Sequence, residues 1–168
     1  RHPSRSGDLH AFGEHFPAFL ESFAPAADLV YLPDVARLEW TYHRVFHAAD
    51  HRPLDVAALA RVPAERQGDL RFELHPATRL LESAFPILRI WRVNQDDHDG
   101  DSTVDLSEGG VKLLIVRRQN LEIEFEPLED GEFALLRALA GDCDFVTACE
   151  RAMTEQPTLD LPACVQRH

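Results

Sequence analysis

Residues 111–127 constrain this chain more than any other segment. Val111 to Arg118 is an apolar, β-branched run, and Gln119-Asn120 supplies a turn, since Asn tolerates positive φ. Leu121, Ile123 and Phe125 then alternate strictly with Glu122, Glu124 and Glu126 until Pro127 ends the pattern. A period of two with one apolar and one acidic face predicts a hairpin whose register is fixed by burial, because a slip of one residue would bury the glutamates. Three helical segments should follow: Asp130 to Ala140 with Phe133, Leu136 and Leu139 inward, Phe145 to Thr154, and one starting near Asp160. A hairpin followed by small helices is a winged-helix-like layout.

The upstream half reads differently. Asp8 is positioned to cap a first apolar segment carrying Leu9, Phe12, Phe16, Phe19, Leu20 and Phe23, with Pro17 either breaking it or opening a second helix. A longer helix begins near Pro33, with Asp34 in its first turn where a carboxylate suits the helix dipole. Its apolar stripe is Val35, Leu38, Tyr42, Val45, Phe46 and Ala49, and Asp50-His51-Arg52-Pro53 ends it. Leu54 to Val62 predicts a short helix capped by Asp55, and Pro63 to Gly68 a turn or helical turn. Leu70, Phe72 and Leu74 alternate with Arg71, Glu73 and His75, the pattern of a half-buried strand, and Thr78 to Ser83 suits a second. Pro86 to Val93 fits either a helix or a buried strand, and the acid-rich stretch from Asn94 to Ser107 is an exposed loop. The expected fold class is therefore α+β. A helical region over 1–67 precedes a small antiparallel sheet with helices over 68–168.

Charge sharpens that division. The 168 residues carry a net −12, of which residues 1–95 hold −1 and residues 96–168 hold −11. Phosphate neutralisation needs clustered Lys and Arg, so nucleic acid is an unlikely partner, and the same shortage counts against membrane binding through a polybasic patch. No apolar run approaches the roughly 18 residues that span a bilayer. Three cysteines, Cys143, Cys149 and Cys164, without a C-x-x-C, are too few for a disulfide framework. They read as reduced, half-buried helix residues and the compartment as cytoplasmic. The chain opens on Arg1-His2-Pro3 rather than Met, which suggests a processed or trimmed product.

Five constellations bear on chemistry. Glu39, His43, His47 and Asp50 share one helical face and include ligand types for zinc or iron, but Arg44-Val45-Phe46 departs from H-E-x-x-H, and a polar seam is the expected role. Aligning Gly100 to the turn glycine of a calcium loop puts Gln95 first and Leu106 at the bidentate position, so the acidic loop lacks the required carboxylate. There is no G-x-S-x-G or phosphate loop; Gly109-Gly110 is a lone pair before a strand, and no self-sufficient enzyme is expected. An open hairpin edge can take an extended peptide by strand addition, with Glu122, Glu124 and Glu126 favouring basic residues, although an acidic face also serves simply as solvated surface. Tyr31, Trp40 and their charged neighbours suit either interface anchoring or internal packing.

Several motifs together resemble one family. Gly7-Asp8-Leu9, Phe16-Pro17-Ala18-Phe19-Leu20, the run Tyr31-Leu32-Pro33-Asp34-Val35-Ala36-Arg37-Leu38-Glu39-Trp40, and His43 with His47-Ala48-Ala49-Asp50 are similar to the HvfC/BufC family of peptide-modification chaperones. Leu74-His75-Pro76, Arg79-Leu80-Leu81, Ile90-Trp91-Arg92, Asn94-Gln95, Val104-Asp105-Leu106 and Glu108-Gly109-Gly110 fit the same pattern. The resemblance spans essentially the whole chain, with the Tyr31–Trp40 run its most specific part. It implies a non-catalytic partner of a multinuclear non-haem iron oxidative enzyme of TIM-barrel type, which modifies cysteines of a ribosomally made precursor peptide. It also implies that most of an N-terminal helical domain lies upstream of Arg1.

On that reading the chain holds the precursor's leader through Leu121, Glu122, Ile123, Glu124 and Phe125. It meets the enzyme through Tyr31, Asp34, Arg37, Trp40, His43, His47 and Asp50. It carries no metal or cofactor of its own, since the iron ligands belong to the partner. Members of the family have also been labelled putative DNA-binding proteins, so a transcriptional regulator is the alternative; Arg137 and Arg151 stand alone in their helices, which counts against a basic recognition helix.

Overall fold

The computed structural model describes residues 13–168, so Gly7, the expected Asp8 cap, Leu9 and Phe12 lie outside the described residues. Among the described residues the fold is α+β, with eight helices and one three-stranded antiparallel sheet. The helices are α1 (Phe16–Ser22), α2 (Leu32–Phe46), α3 (Val56–Leu59), α4 (Ala64–Gln67), α5 (Ile87–Val93), α6 (Asp130–Ala140), α7 (Phe145–Glu155) and α8 (Leu161–Arg167). The strands β1 (Thr78–Ser83), β2 (Val111–Arg117) and β3 (Ile123–Pro127) lie in that order across the sheet.

The central strand is buried on both faces, which explains its unbroken apolar run. Leu113 and Ile115 are fully buried on one face, and Leu114 is buried on the other. The first face packs under α2 and α5, where Leu38, Val45, Ile87 and Leu88 complete a core with Leu113 and Ile115. The second face packs under α6, where Phe133 and Leu136 meet Leu114, Leu128 and Leu80. Each such side chain contributes about 1.5–3 kcal/mol on burial. The first core draws residues from both sides of position 67, so the expected helical region and the sheet share one interior.

Two links fix α2 on the sheet. At its N-terminal end the Ser83 hydroxyl, from the end of β1, donates to Asp34 Oδ2 at 2.6 Å. At its C-terminal end Arg117, from the end of β2, donates to the carbonyls of Val45 at 3.2 Å and Phe46 at 2.5 Å, and to Asp50 at 2.6 Å. These carbonyls are the acceptors a helix end leaves unpaired, and a guanidinium also answers the negative end of the dipole.

Local capping accounts for most remaining boundaries. Asp55, Asp144 and Asp160 accept from Ala58, Thr147 and Ala163 at the starts of α3, α7 and α8, and Glu129 with Glu132 forms a capping box on α6. Hydrogen bonds from Thr147 hold the Asp144 carboxyl below the usual range, so its cap is fully formed above the ordinary aspartate value and is lost as pH falls through the lowered one. Pro17 sits in the first turn of α1 rather than breaking it. Gly110 is demanded by close approach: a Cβ there would stand 2.2 Å from the Ser83 carbonyl oxygen.

Three expectations need correction. Residues 70–75 are not a strand; Arg71 makes an isolated bridge to Asp144, and the Leu70 carbonyl accepts from Phe145 at 2.8 Å. Their alternation reflects half-burial of Phe72 and Leu74, with Phe72 edge-on to Phe145 at 5.8 Å. The helix expected over 54–62 forms only at Val56–Leu59. Cys143 lies in the turn between α6 and α7 rather than in a helix. The open alternative at Pro86–Val93 resolves to helix α5, with Ile87, Leu88 and Ile90 buried.

The Arg117 side chain is only 8% exposed, whereas that of Asp50 is 90% exposed. Arg117→Ala should therefore cost about 2–4 kcal/mol, because it strips charge-assisted bonds from the end of α2. Asp50→Ala should cost roughly 0–1 kcal/mol. Urea unfolding of the two variants measures the contrast.

Candidate functional site

The free edge of β3 is the first candidate. Arg118 N–H donates to the Glu122 carbonyl and Leu128 N–H to the Lys112 carbonyl. With the register Ile115 opposite Phe125, those bonds turn the backbone groups of Glu124 and Glu126 toward β2. The N–H and C=O groups of Ile123 and Phe125 therefore face away from the sheet, where no described strand pairs with them. Pro127 also falls on the outward side and offers only its carbonyl.

Beneath that edge lies a half-buried aromatic cluster. The Phe125 ring is 4.9 Å from Trp91 of α5 and 6.0 Å from Tyr42 of α2, and Tyr42 and Trp91 are 6.1 Å apart. On the opposite face Glu124 accepts from Arg118 Nε at 2.7 Å, and Glu126 pairs with the same guanidinium. Two of the three glutamates are thus already matched to a cation within the hairpin. Their carboxylates in turn raise the Arg118 pKa.

The turn differs from the expected one. Positive φ falls on Leu121, at 67°, and not on Asn120. Leu121 is 66% exposed instead of facing inward, and Glu122 precedes the strand, its N–H bonded to Asn120 Oδ1 at 3.1 Å. The Asn120 side chain closes the turn from outside, so the residue after it takes the left-handed backbone. Of the five residues expected to contact a peptide, Ile123, Glu124 and Phe125 lie on β3, and Leu121 and Glu122 form its entry.

The α2 residues expected to meet a partner fall into two groups. Asp34 bonds Ser83 and pairs with Arg37, which also pairs with Glu21 of α1, so these charges fasten α1 and β1 to α2. Tyr31 is half-buried at the start of α2, where its carbonyl accepts from Asp34 and Val35. Trp40 and His43 on α2 and His47 just beyond its end form a ring ladder, with centroids 5.2 and 4.5 Å apart, and the Phe46 ring meets His47 at 4.9 Å. Asp50 is turned to Arg117 instead of joining the histidines. In the acidic loop Asp101 and Asp105 accept from Thr103 and Ser107, both at 2.8 Å. Those bonds lower both carboxyl pKa values and commit the side chains to turns.

Two features escaped the sequence reading. An open cleft of about 630 Å³ lies beside β1, bounded by Phe72, Leu74, Leu80, Phe133, Arg137 and Leu139. It follows from the way α6 and the 72–74 segment flank the outer strand, which no local pattern encodes. The second feature is a grouping of Glu132, Cys164 and His168, whose ligand atoms lie within 4.8 Å of one another; it is the one such grouping found among the described residues. Cys164 and His168 stand at i and i+4, a legible signal, but Glu132 joins them only through the fold. No family model matches the chain, and no curated protein matches it significantly.

A left-handed backbone costs a leucine about 1–2 kcal/mol, part of which glycine returns as chain entropy. Leu121→Gly should therefore stabilise the fold by about 0.5–1 kcal/mol, read as a higher denaturation midpoint.

Proposed function

We propose that this chain is a non-catalytic binding module of a ribosomal peptide-modification system, holding the leader of a precursor peptide and the multinuclear non-haem iron enzyme that modifies it. The observation that carries the peptide half is the outward-facing backbone of Ile123 and Phe125 beside the Tyr42, Trp91 and Phe125 rings. An extended leader supplies the missing hydrogen bonds and lays alternate side chains against the aromatic cluster. Glu122, together with the Arg118-matched Glu124, selects basic residues in that leader.

The enzyme half rests on the sequence resemblance and on the Trp40, His43, His47 ladder of α2. Its mechanism is positional. Retaining the leader raises the effective concentration of the core peptide at the enzyme's iron centre, so the gain appears as catalytic efficiency on full precursor. Within the described residues no helix is long and apolar enough to cross a membrane. A cytoplasmic site of action is part of the same proposal.

Co-purification of the chain with the iron enzyme and a synthetic leader tests the reading. A ternary complex and faster modification of full precursor are expected. Absence of the complex, with enzyme activity indifferent to this chain, overturns it. Glu122→Lys with Glu124→Lys should weaken a basic leader about tenfold through like-charge repulsion. Unchanged affinity in a titration of labelled leader would remove β3 as the contact.

A further inference from the structure

We propose that Glu132, Cys164 and His168 form a site for one divalent transition-metal ion of the zinc class, which joins α8 to α6. This inference is independent of the peptide reading and departs from the expectation that the chain holds no metal.

The three groups are brought together at the base of the helical layer. Glu132 lies in the first turn of α6 with its side chain 6% exposed. Cys164 is 4% exposed on α8, and the His168 side chain, one helical turn further, is 7% exposed. Zinc ligands at about 2.0–2.3 Å in a tetrahedral array stand roughly 3.3–3.8 Å apart. The Glu132 carboxylate and His168 Nε2 are 3.7 Å apart, too far for a hydrogen bond and within the span of two ligands on one ion. Cys164 is buried and in no disulfide, and burial pushes its thiol pKa up.

The donor set selects the ion. One thiolate, one imidazole and one carboxylate suit zinc, cobalt or nickel, whereas magnesium and calcium prefer oxygen ligands throughout. Three protein ligands leave the fourth position to water. Binding exchanges the Cys164 S–H bond for a sulfur–metal bond: the thiol proton passes to solvent and hydration water leaves the ion. Arg167 is the competing cation. It pairs with Glu132 at 3.1 Å, but its side chain is 54% exposed and can turn into water when the ion takes its place.

The structural need is visible in α8. It is a seven-residue helix whose buried anchor is Cys164, and Arg167 with Glu132 is its ion pair to α6. A metal bridge would replace a partly exposed ion pair with coordinate bonds at that joint.

Cobalt titration of the chelator-treated 168-residue chain tests the proposal, because a thiolate-to-cobalt charge-transfer band separates this site from other histidines. One equivalent of Co²⁺ giving that band is expected, with the band lost in Cys164→Ser and kept in the Cys143→Ser, Cys149→Ser double variant. His168→Ala should weaken Co²⁺ at least tenfold. Arg167→Ala should tighten it about fivefold, by removing a partly exposed competitor. No band at one equivalent, or a band that survives Cys164→Ser, overturns the site. Far-UV circular dichroism of each variant shows whether α8 and its neighbours are still folded.

Discussion

The seat of α2 on the sheet decides what the rest of this molecule can be. Leu38 and Val45 are fully buried against β2, yet apolar contact alone does not set where along the strands a helix stops. The end links supply that register. Asp34 meets Ser83 at the close of β1, and Arg117 meets the last carbonyls of α2 at the close of β2. The helix is therefore held lengthwise by groups whose bonding is directional. Its position in turn places Tyr42 over Phe125 and sets the line of the Trp40, His43 and His47 rings. Both candidate surfaces depend on one docking geometry.

Legibility in the sequence followed how local each interaction is. The apolar run of β2, the alternation of β3 and the Asp55 cap are short-range patterns, and the structure forms each of them. The 70–75 segment misled because alternation reports half-burial, and half-burial does not require a paired neighbour. Phe72 and Leu74 gain theirs from the surroundings of β1 and α6, with only Arg71 bridging to another backbone. Leu121 misled for a different reason: its side chain suits a strand, but the Asn120 side chain bonds forward to Glu122 and fixes the turn one residue later than expected.

Long-range encounters were not legible. Gly110 reads as a flexible turn residue, yet what it requires is space beside the Ser83 carbonyl across the sheet. Glu132 reads as an ordinary first-turn acid of an amphipathic helix. Only the return of α8 gives it Arg167, Cys164 and His168 as neighbours. A carboxylate buried this deeply is tolerable because the Arg167 guanidinium and the Glu129 backbone N–H both donate to it. That balance is why Arg167 is the natural competitor for any ion at the same place.

The net charge of residues 96–168 gains a different meaning once the hairpin is built. Of the three hairpin glutamates, Glu124 and Glu126 share Arg118, so the acidic face is weaker than the sequence count suggests. The edge is also short, since Pro127 removes one outward donor and leaves those of Ile123 and Phe125. Two donors make a modest ladder, worth roughly 1 kcal/mol each after exchange with water. On the proposed reading, a leader held here would draw the larger share of its affinity from burial against Tyr42, Trp91 and Phe125. A second attachment on the enzyme would add to it without lengthening the strand. Under the proposed function, weak pairing at the edge would also let each modified product leave, because residence time shortens as affinity falls.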